Sequence, residues 1–298
     1  MIIMSNSNNK TKIIFAKLKK HLPKVCATFT KYFFLSVFAL FLAIPFYWML
    51  NLALQDNPAC PSFFPKDLTW NNFSFLFTRY SLFLTFFKTL AVVFISTVLG
   101  IFVSVITAFA LSILEFRTKK IILGVFLITT MITTESMFLT NYQTVARLGF
   151  VDSGQGTRVF SGIYLAMILP FLINVFHIFL LIQNIKKIPK ELYLSAKVDG
   201  SSDWKFLYKI LTPLLRDNII NIIIFRAVAA WNAYLWPELV GGKLLTNVIR
   251  NIFDSEKNQN LVNQQMAATV LMTLPLVLLF IFCKRYVLEG KLNSGIKG

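Results

Sequence analysis

The chain has 298 residues, 56% of them hydrophobic and 14% charged, with a mean hydropathy of +0.65 and a formal net charge of +17. The apolar share exceeds the roughly 45–50% of soluble domains and is gathered into runs, which argues against a soluble globular chain. The surplus Lys and Arg lie between those runs, where an anionic lipid surface explains them better than nucleic acid does.

A spanning helix needs about 20 mostly apolar residues. Six segments qualify: residues 32–54, 85–114, 121–139, 161–182, 218–237 and 266–283. Backbone groups in lipid must be satisfied internally, so each is expected to be helical. The fold class is therefore an all-α membrane protein with six transmembrane helices. Pro45, Pro170 and Pro275 fall inside runs and predict kinks. The first run is too long for a removable signal peptide and lacks a small-residue cleavage site behind it. Placing both termini inside (N-in/C-in) puts 21 Lys and Arg in cytoplasmic pieces against 7 outside. That bias sets the orientation.

The organisation follows. Residues 1–31 form a basic cytoplasmic tail and 32–54 the first span. Residues 55–84 form an extracellular loop, with Pro58, Pro61 and Pro65 and then the interfacial aromatics Trp70, Phe73 and Phe75. Residues 85–283 form the core, with a cytoplasmic loop at about 185–217, and 284–298 a second cytoplasmic tail. The N-terminal tail carries Ile13, Ile14, Ala16, Leu18 and Leu22. It reads either as a solvated positive-inside tail or as a membrane-surface helix. Cys26, Cys60 and Cys283 lack metal-ligand spacing and read as free thiols.

The long cytoplasmic loop is the most legible stretch. Pro189 suits a helix start, and Glu191 lies in the first turn, where the helix dipole favours an anion. Leu192 and Ala196 share a face. Gly200 supplies a turn that a residue with a Cβ resists. Ser201 or Ser202 caps a second helix, with Asp203 in its first turn. Trp204, Leu207, Tyr208 and Leu211 then form one apolar stripe, and Pro213 is expected to stop the helix. The spacing predicts a helix, a glycine turn and an amphipathic helix. It fits either a partner-docking element or an interfacial helix resting on lipid.

This loop resembles the EAA loop of ABC importer permeases, of the form ELxEAAxxDGA with a downstream I-x-L-P. The matching residues are Glu191, Leu192, Ala196, Asp199, Gly200 and Pro213. Leu194 stands where the family has glutamate, Ser195 where it has the first alanine, and Thr212 where it has leucine. The stretch from Trp231 to Pro237 is similar to WNxxLWP in the fifth span of sugar-type permeases. Lys284, Arg285, Tyr286 and Gly290, then Gly295 to Gly298, resemble the family's QRYFVxG…GAVKG tail. Ala267-Ala268-Thr269 before Leu274-Pro275, Phe63-Phe64-Pro65 and Trp70-Asn71-Asn72-Phe73 also fit. The chain most resembles the second permease of the maltose/glycerol-3-phosphate (carbohydrate uptake) branch. Thr144 to Ser153 leans toward the glycerol-3-phosphate member.

The resemblance implies a type I ABC importer transmembrane domain working by alternating access in the cell membrane. It implies a sister permease subunit, two ABC ATPase subunits and an extracellular solute-binding protein or lipoprotein as partners, beside membrane lipid and without nucleic acid. It implies that this chain binds no cofactor and that ATP and Mg belong to the ATPase partners. The ATPase-docking residues would be Glu191, Leu194, Ser195, Ala196, Asp199, Gly200, Trp204 and Pro213. With Leu194 and Ser195 in place of the usual pair, the contact is expected to be more apolar. No G-x-x-x-x-G-K-[ST] appears, because Gly241-Gly242-Lys243-Leu244 lacks both the first glycine and the Ser/Thr. No catalytic or metal constellation appears around His21 or His177, so no enzyme activity is expected.

Ionisable residues in spans are functional candidates because they are costly there. Arg226 either attracts an anionic solute group or packs between helices. Glu135 aligns with an acidic position of the glycerol-3-phosphate-like relatives and either pairs with Arg226 or Lys88 or binds solute hydroxyls. Asn174 and His177 suggest an interhelical hydrogen bond. Trp231, Asn232 and Tyr234 offer the stacking and hydrogen bonds that sugars use, and with Glu135 and Arg226 they form the candidate translocation pathway. Trp236 reads as an interface anchor. The alternative, an ATP-independent secondary transporter or channel, lacks the expected internal repeats and leaves the loop unexplained.

Overall fold

The computed structural model describes residues 3–56, 63–64, 67–151, 162–255 and 262–289, with side chains over 28–251 and 262–285 within these. Among them the secondary structure is helical, apart from one antiparallel bridge between Gln55 and Leu68. The helices are α1 (Ile3–Ala53), α2 (Asn71–Tyr80), α3 (Leu82–Ser112), α4 (Lys119–Thr129), α5 (Phe138–Arg147), α6 (Gly162–Ile168) and α7 (Val175–Ile185). There follow α8 (Glu191–Val198), α9 (Asp203–Phe206), a π turn (Leu207–Leu211), α10 (Thr212–Leu214), α11 (Arg216–Trp231), α12 (Leu235–Leu239), α13 (Leu245–Ser255) and α14 (Val262–Glu289).

Three of the predicted spans are single helices long and apolar enough to cross a bilayer: Thr28–Ala53, Leu82–Ser112 and Val262–Arg285. The fourth is a pair, Gly162–Phe171 and Val175–Ile185, bent by 46°. The third and fifth are interrupted. The third is α4 followed by a break and a short 3-10 turn, and the fifth is the 16-residue α11. Pro170 sits at the bend as expected, whereas Pro45 and Pro275 lie inside helices that stay continuous. The basic tail is helical from Ile3 and runs without interruption into the first span. The proline-rich positions Pro58, Pro61 and Pro65, residues 152–161 and the 290–298 tail motif lie outside the described residues.

α3 is the hub. It packs against α7 and α11, α11 packs on α14, and α14 pairs with α1. The small residues Gly100, Ser104 and Ala108 recur at four-residue spacing on α3, and Ser104 and Ala108 are fully buried, which lets neighbouring backbones approach closely. Phe29, Phe33, Phe34, Phe38 and Phe41 on α1 are 55–71% exposed. Such a surface would drive aggregation in water but is ordinary against lipid tails. Lys119 closes the end of α3 by donating to the Ser112 and Leu114 carbonyls, both at 3.0 Å. Burial is the chief cause that holds its pKa below the usual lysine value.

Candidate functional site

Two places gather the predicted residues: the 189–213 loop and a cavity beside the bend. In the loop, α8 ends in a Schellman motif. Ser201 N–H donates to the Ala196 carbonyl (2.9 Å) and Gly200 N–H to the Lys197 carbonyl (3.0 Å). Gly200 holds φ +73°, the left-handed conformation this motif needs. Ser202 is the cap of α9, with its hydroxyl accepting from Lys205 N–H at 3.3 Å.

The faces of α8 divide cleanly. Glu191, Leu194, Ser195 and Val198 follow helical spacing and are all exposed, Leu194 at 60% and Val198 at 88%. Ala196 is buried on the opposite side, in the apolar cluster that also holds residues of α3, α7 and α9, and Asp199 and Gly200 form the turn. The residues at the family's diverged positions, Leu194 and Ser195, thus lie on the outward stripe.

The second helix differs from expectation in two ways. The stripe splits: Leu207 and Leu211 are buried with Phe206, while Trp204 and Tyr208 face outward. Pro213 does not stop the helix. The turn before it widens to π spacing, so Thr212 N–H reaches the Leu207 carbonyl, which also accepts Thr212 Oγ1 at 2.8 Å. The widened turn keeps the proline ring off the preceding carbonyls, and the helix resumes as α10 and α11.

The cavity, of about 450 Å³, lies where α3, α7, α11 and α12 meet. Its polar wall includes Ser96, Glu135, Asn174, His177, Arg226 and Tyr234. Of the five predicted pathway residues, Glu135, Arg226 and Tyr234 therefore line it. Trp231 and Asn232 do not. Asn232 is exposed on the outside, and Trp231 is buried against Phe86 with its Nε1 donating to the Met272 carbonyl at 3.0 Å.

The bend explains much of the cavity's chemistry. Pro170 has no N–H to offer the Ala166 carbonyl, one turn earlier. Trp236 Nε1 donates to that carbonyl instead, at 3.0 Å. Trp236 is consequently buried and lines the cavity, and is not a surface anchor. The break after Phe171 frees a second carbonyl, which Arg226 Nη2 takes at 2.9 Å while also reaching the Ser96 carbonyl at 3.3 Å. The guanidinium lies over Gly100, where a Cβ would stand 1.8 Å from Nη2. Trp231 makes a comparable contact on α14, its Nε1 donating to the Met272 carbonyl three residues before Pro275.

Neither Arg226 nor Glu135 forms an ion pair among the described residues. Asn174 and His177 do meet, but as an N-cap: Asn174 Oδ1 accepts His177 N–H at 3.1 Å at the start of α7. His177 Nδ1 is buried at the cavity wall with no hydrogen-bond partner among the described residues. Among the described residues no three His, Cys, Asp or Glu side chains gather as metal ligands would.

A helical bundle with lipid-type surfaces, a bent span, a polar cavity beside the bend and an exposed helix-turn-helix loop defines a membrane-embedded transport permease. The chain belongs to the family described as the inner membrane component of binding-protein-dependent transport systems, whose model matches residues 25–290. It is 28% identical over 268 residues to the arabinooligosaccharides transport system permease protein AraQ of Halalkalibacterium halodurans, covering 89% of this chain and 92% of that one. It is 27% identical over 192 residues to the sn-glycerol-3-phosphate transport system permease protein UgpE of Pectobacterium atrosepticum, covering 63% and 65%. Its fold matches a chain of a bacterial ABC transporter involved in the import of the acidic polysaccharide alginate. The TM-score is 0.71 at 20% identity, over 86% of this chain and 95% of that one.

Proposed function

We propose that this chain is one permease subunit of an ABC importer for a sugar or a glycerol-3-phosphate-like solute. The reading places it beside a sister permease, with two ATPase subunits on the inner face and a solute-binding protein outside. ATP and Mg belong to the ATPases. The single observation that carries it is the outward stripe of α8, an exposed ridge in which Leu194 and Val198 stand beside Glu191 and Ser195, ended by the Gly200 turn on a bundle of spanning helices. A ridge of this kind suits a groove on a partner. The stripe faces the inside in the N-in/C-in arrangement favoured by the Lys and Arg bias. ATP binding would then act by favouring one state of a bistable bundle.

The test is copurification. A tagged chain should bring down an ATPase, and Gly200→Pro, which cannot hold a positive φ, should lose it. Solute flux through the chain alone without ATP would overturn the reading. The cavity with Glu135, Arg226 and Tyr234 is the proposed pathway. Arg226 offers a cation there for an anionic solute group. Uptake by the reconstituted complex with Arg226→Gln tests this, and an unchanged preference between glycerol phosphate and a neutral sugar would sink it.

A further inference from the structure

We infer that Tyr193 is a positioning residue that passes the orientation of α8 into the spanning helix α3, through Asp203 and Phe206. The inference rests on the docking role proposed above for α8. Of the eight residues of α8, six are exposed; only Ala196 is buried and Tyr193 half-buried. The Ala196 methyl holds α8 close to the bundle but gives no purchase against rotation. That leaves Tyr193 as the one side chain of α8 long enough to fix its angle from the inner side.

Tyr193 is held on three sides. Its hydroxyl donates to Asp203 Oδ1 at 2.7 Å. Lys197, one turn further along α8, places Nζ 2.7 Å from the same oxygen and 5.6 Å from the Tyr193 ring centroid. The ring meets the Phe206 ring edge-on at 5.0 Å and 76°. Phe206 is 1% exposed, and its ring lies 6.3 Å from that of Phe109 on α3. The same α3 supplies Ser96 to the cavity wall and Gly100 to the Arg226 notch. A chain of rings thus runs from the outward helix to the helix that borders the cavity.

Packed rings transmit displacement because protein interiors are nearly incompressible. The polar part acts differently. The Lys197–Asp203 pair is about two-fifths exposed on both sides, and such pairs contribute little by themselves. Its effect is to hold the Tyr193 ring in one rotamer against Phe206. Tyr193 and Lys197 occupy positions that the EAA-type pattern leaves unspecified, and Asp203 lies beyond it.

The test uses the full chain purified with its copurifying ATPase in lipid nanodiscs. The three cysteines are replaced by alanine, and Ala233, which lines the cavity, is changed to cysteine. The readout is the maleimide labelling rate of that cysteine with and without ATP, per unit of bound ATPase. Tyr193→Ala should reduce the ATP-dependent change by about five-fold, the low end of measured site-to-site couplings. The ATPase yield should hold, because Tyr193 faces away from the outward stripe. Tyr193→Phe, which keeps the ring, should stay within about two-fold of the parent. A Tyr193→Ala complex that keeps its full response overturns the proposal. So does one that loses the ATPase itself, which would make Tyr193 part of the dock. Failure of the docking reading looks different: the parent chain then brings down no ATPase at all.

Discussion

Gly100→Ala probes the fit between α3 and α11 with a single methyl. The added Cβ would stand 1.8 Å from Arg226 Nη2, 2.0 Å from Cζ and 2.5 Å from Nε. Real Cβ atoms do not approach this closely, so the guanidinium must swing away. Swinging it away breaks the bonds to the Phe171 and Ser96 carbonyls. Hydrogen bonds to a charged group are worth about 1.5–3 kcal/mol in water-soluble proteins, and interhelical bonds in bilayers average nearer 0.6 kcal/mol. Two such bonds, with the strain of an overpacked contact at about 1–3 kcal/mol, give a destabilisation of about 2–4 kcal/mol. Thermal unfolding of the purified chain in detergent measures it. The discriminating variant is the double mutant Gly100→Ala/Arg226→Ala. With the guanidinium gone the methyl has room, so the double mutant should be no less stable than Arg226→Ala alone. Additive losses in the double mutant, or an unchanged melting temperature in Gly100→Ala, would refute the reasoning.

Gly200→Ala meets no atom within 4 Å but is forced to φ +73°, so it should cost about 1 kcal/mol through backbone strain alone; thermal unfolding again reads it. Trp236→Phe keeps the ring and loses the donor to the Ala166 carbonyl, and should cost about 1–2 kcal/mol. Pro170→Ala added to Trp236→Phe restores an N–H to that carbonyl and should recover part of the loss in the same melt. The latch around Asp203 should be insensitive to pH across the neutral range. Lys197 and then Tyr193 hold Asp203 below its usual 3.8, so its contribution is present above that value and is lost as pH falls through the lowered one. Asp203 raises Lys197 above 10.5, so that contribution persists up to there and is lost as pH rises through the raised value. A spin label at position 198 should therefore show constant mobility between about pH 5 and 10; a transition inside that window would contradict the assignment.

The loop is legible in the sequence almost residue by residue, because its signals are local. A capping serine, a glycine at a left-handed position and an acidic first turn depend on neighbours within a few residues. The apolar stripe of the second helix is less legible. Periodicity at 3.6 residues per turn assumes an unbroken α-helix; the π turn at Leu207–Leu211 breaks that phase, and of the four stripe residues Leu207 and Leu211 are buried while Trp204 and Tyr208 are exposed. Spans three and five look continuous by apolar content, yet they break where Thr133, Thr134, Asn232 and Ala233 interrupt the helices. The roles of Trp231, Trp236 and Arg226 were out of reach. Each is fixed by carbonyls between 41 and 130 residues away, and no local pattern specifies such partners. The signal present in the sequence is Pro170, which implies a carbonyl one turn earlier in need of a donor; the indole of Trp236 is that donor.

The bend in the fourth span also bears on biogenesis. During synthesis this segment enters the membrane before residues 226 and 236 exist. At that moment the Ala166 and Phe171 carbonyls lack the indole and guanidinium that later close them. Unsatisfied backbone groups are costly in hydrocarbon. The fourth segment is therefore a poor passenger for lipid alone, and settles only as a hairpin with the fifth, which delivers both donors together. Slowing translation between residues 186 and 226 should then expose the nascent chain to membrane quality control, although every residue of the finished protein is unchanged.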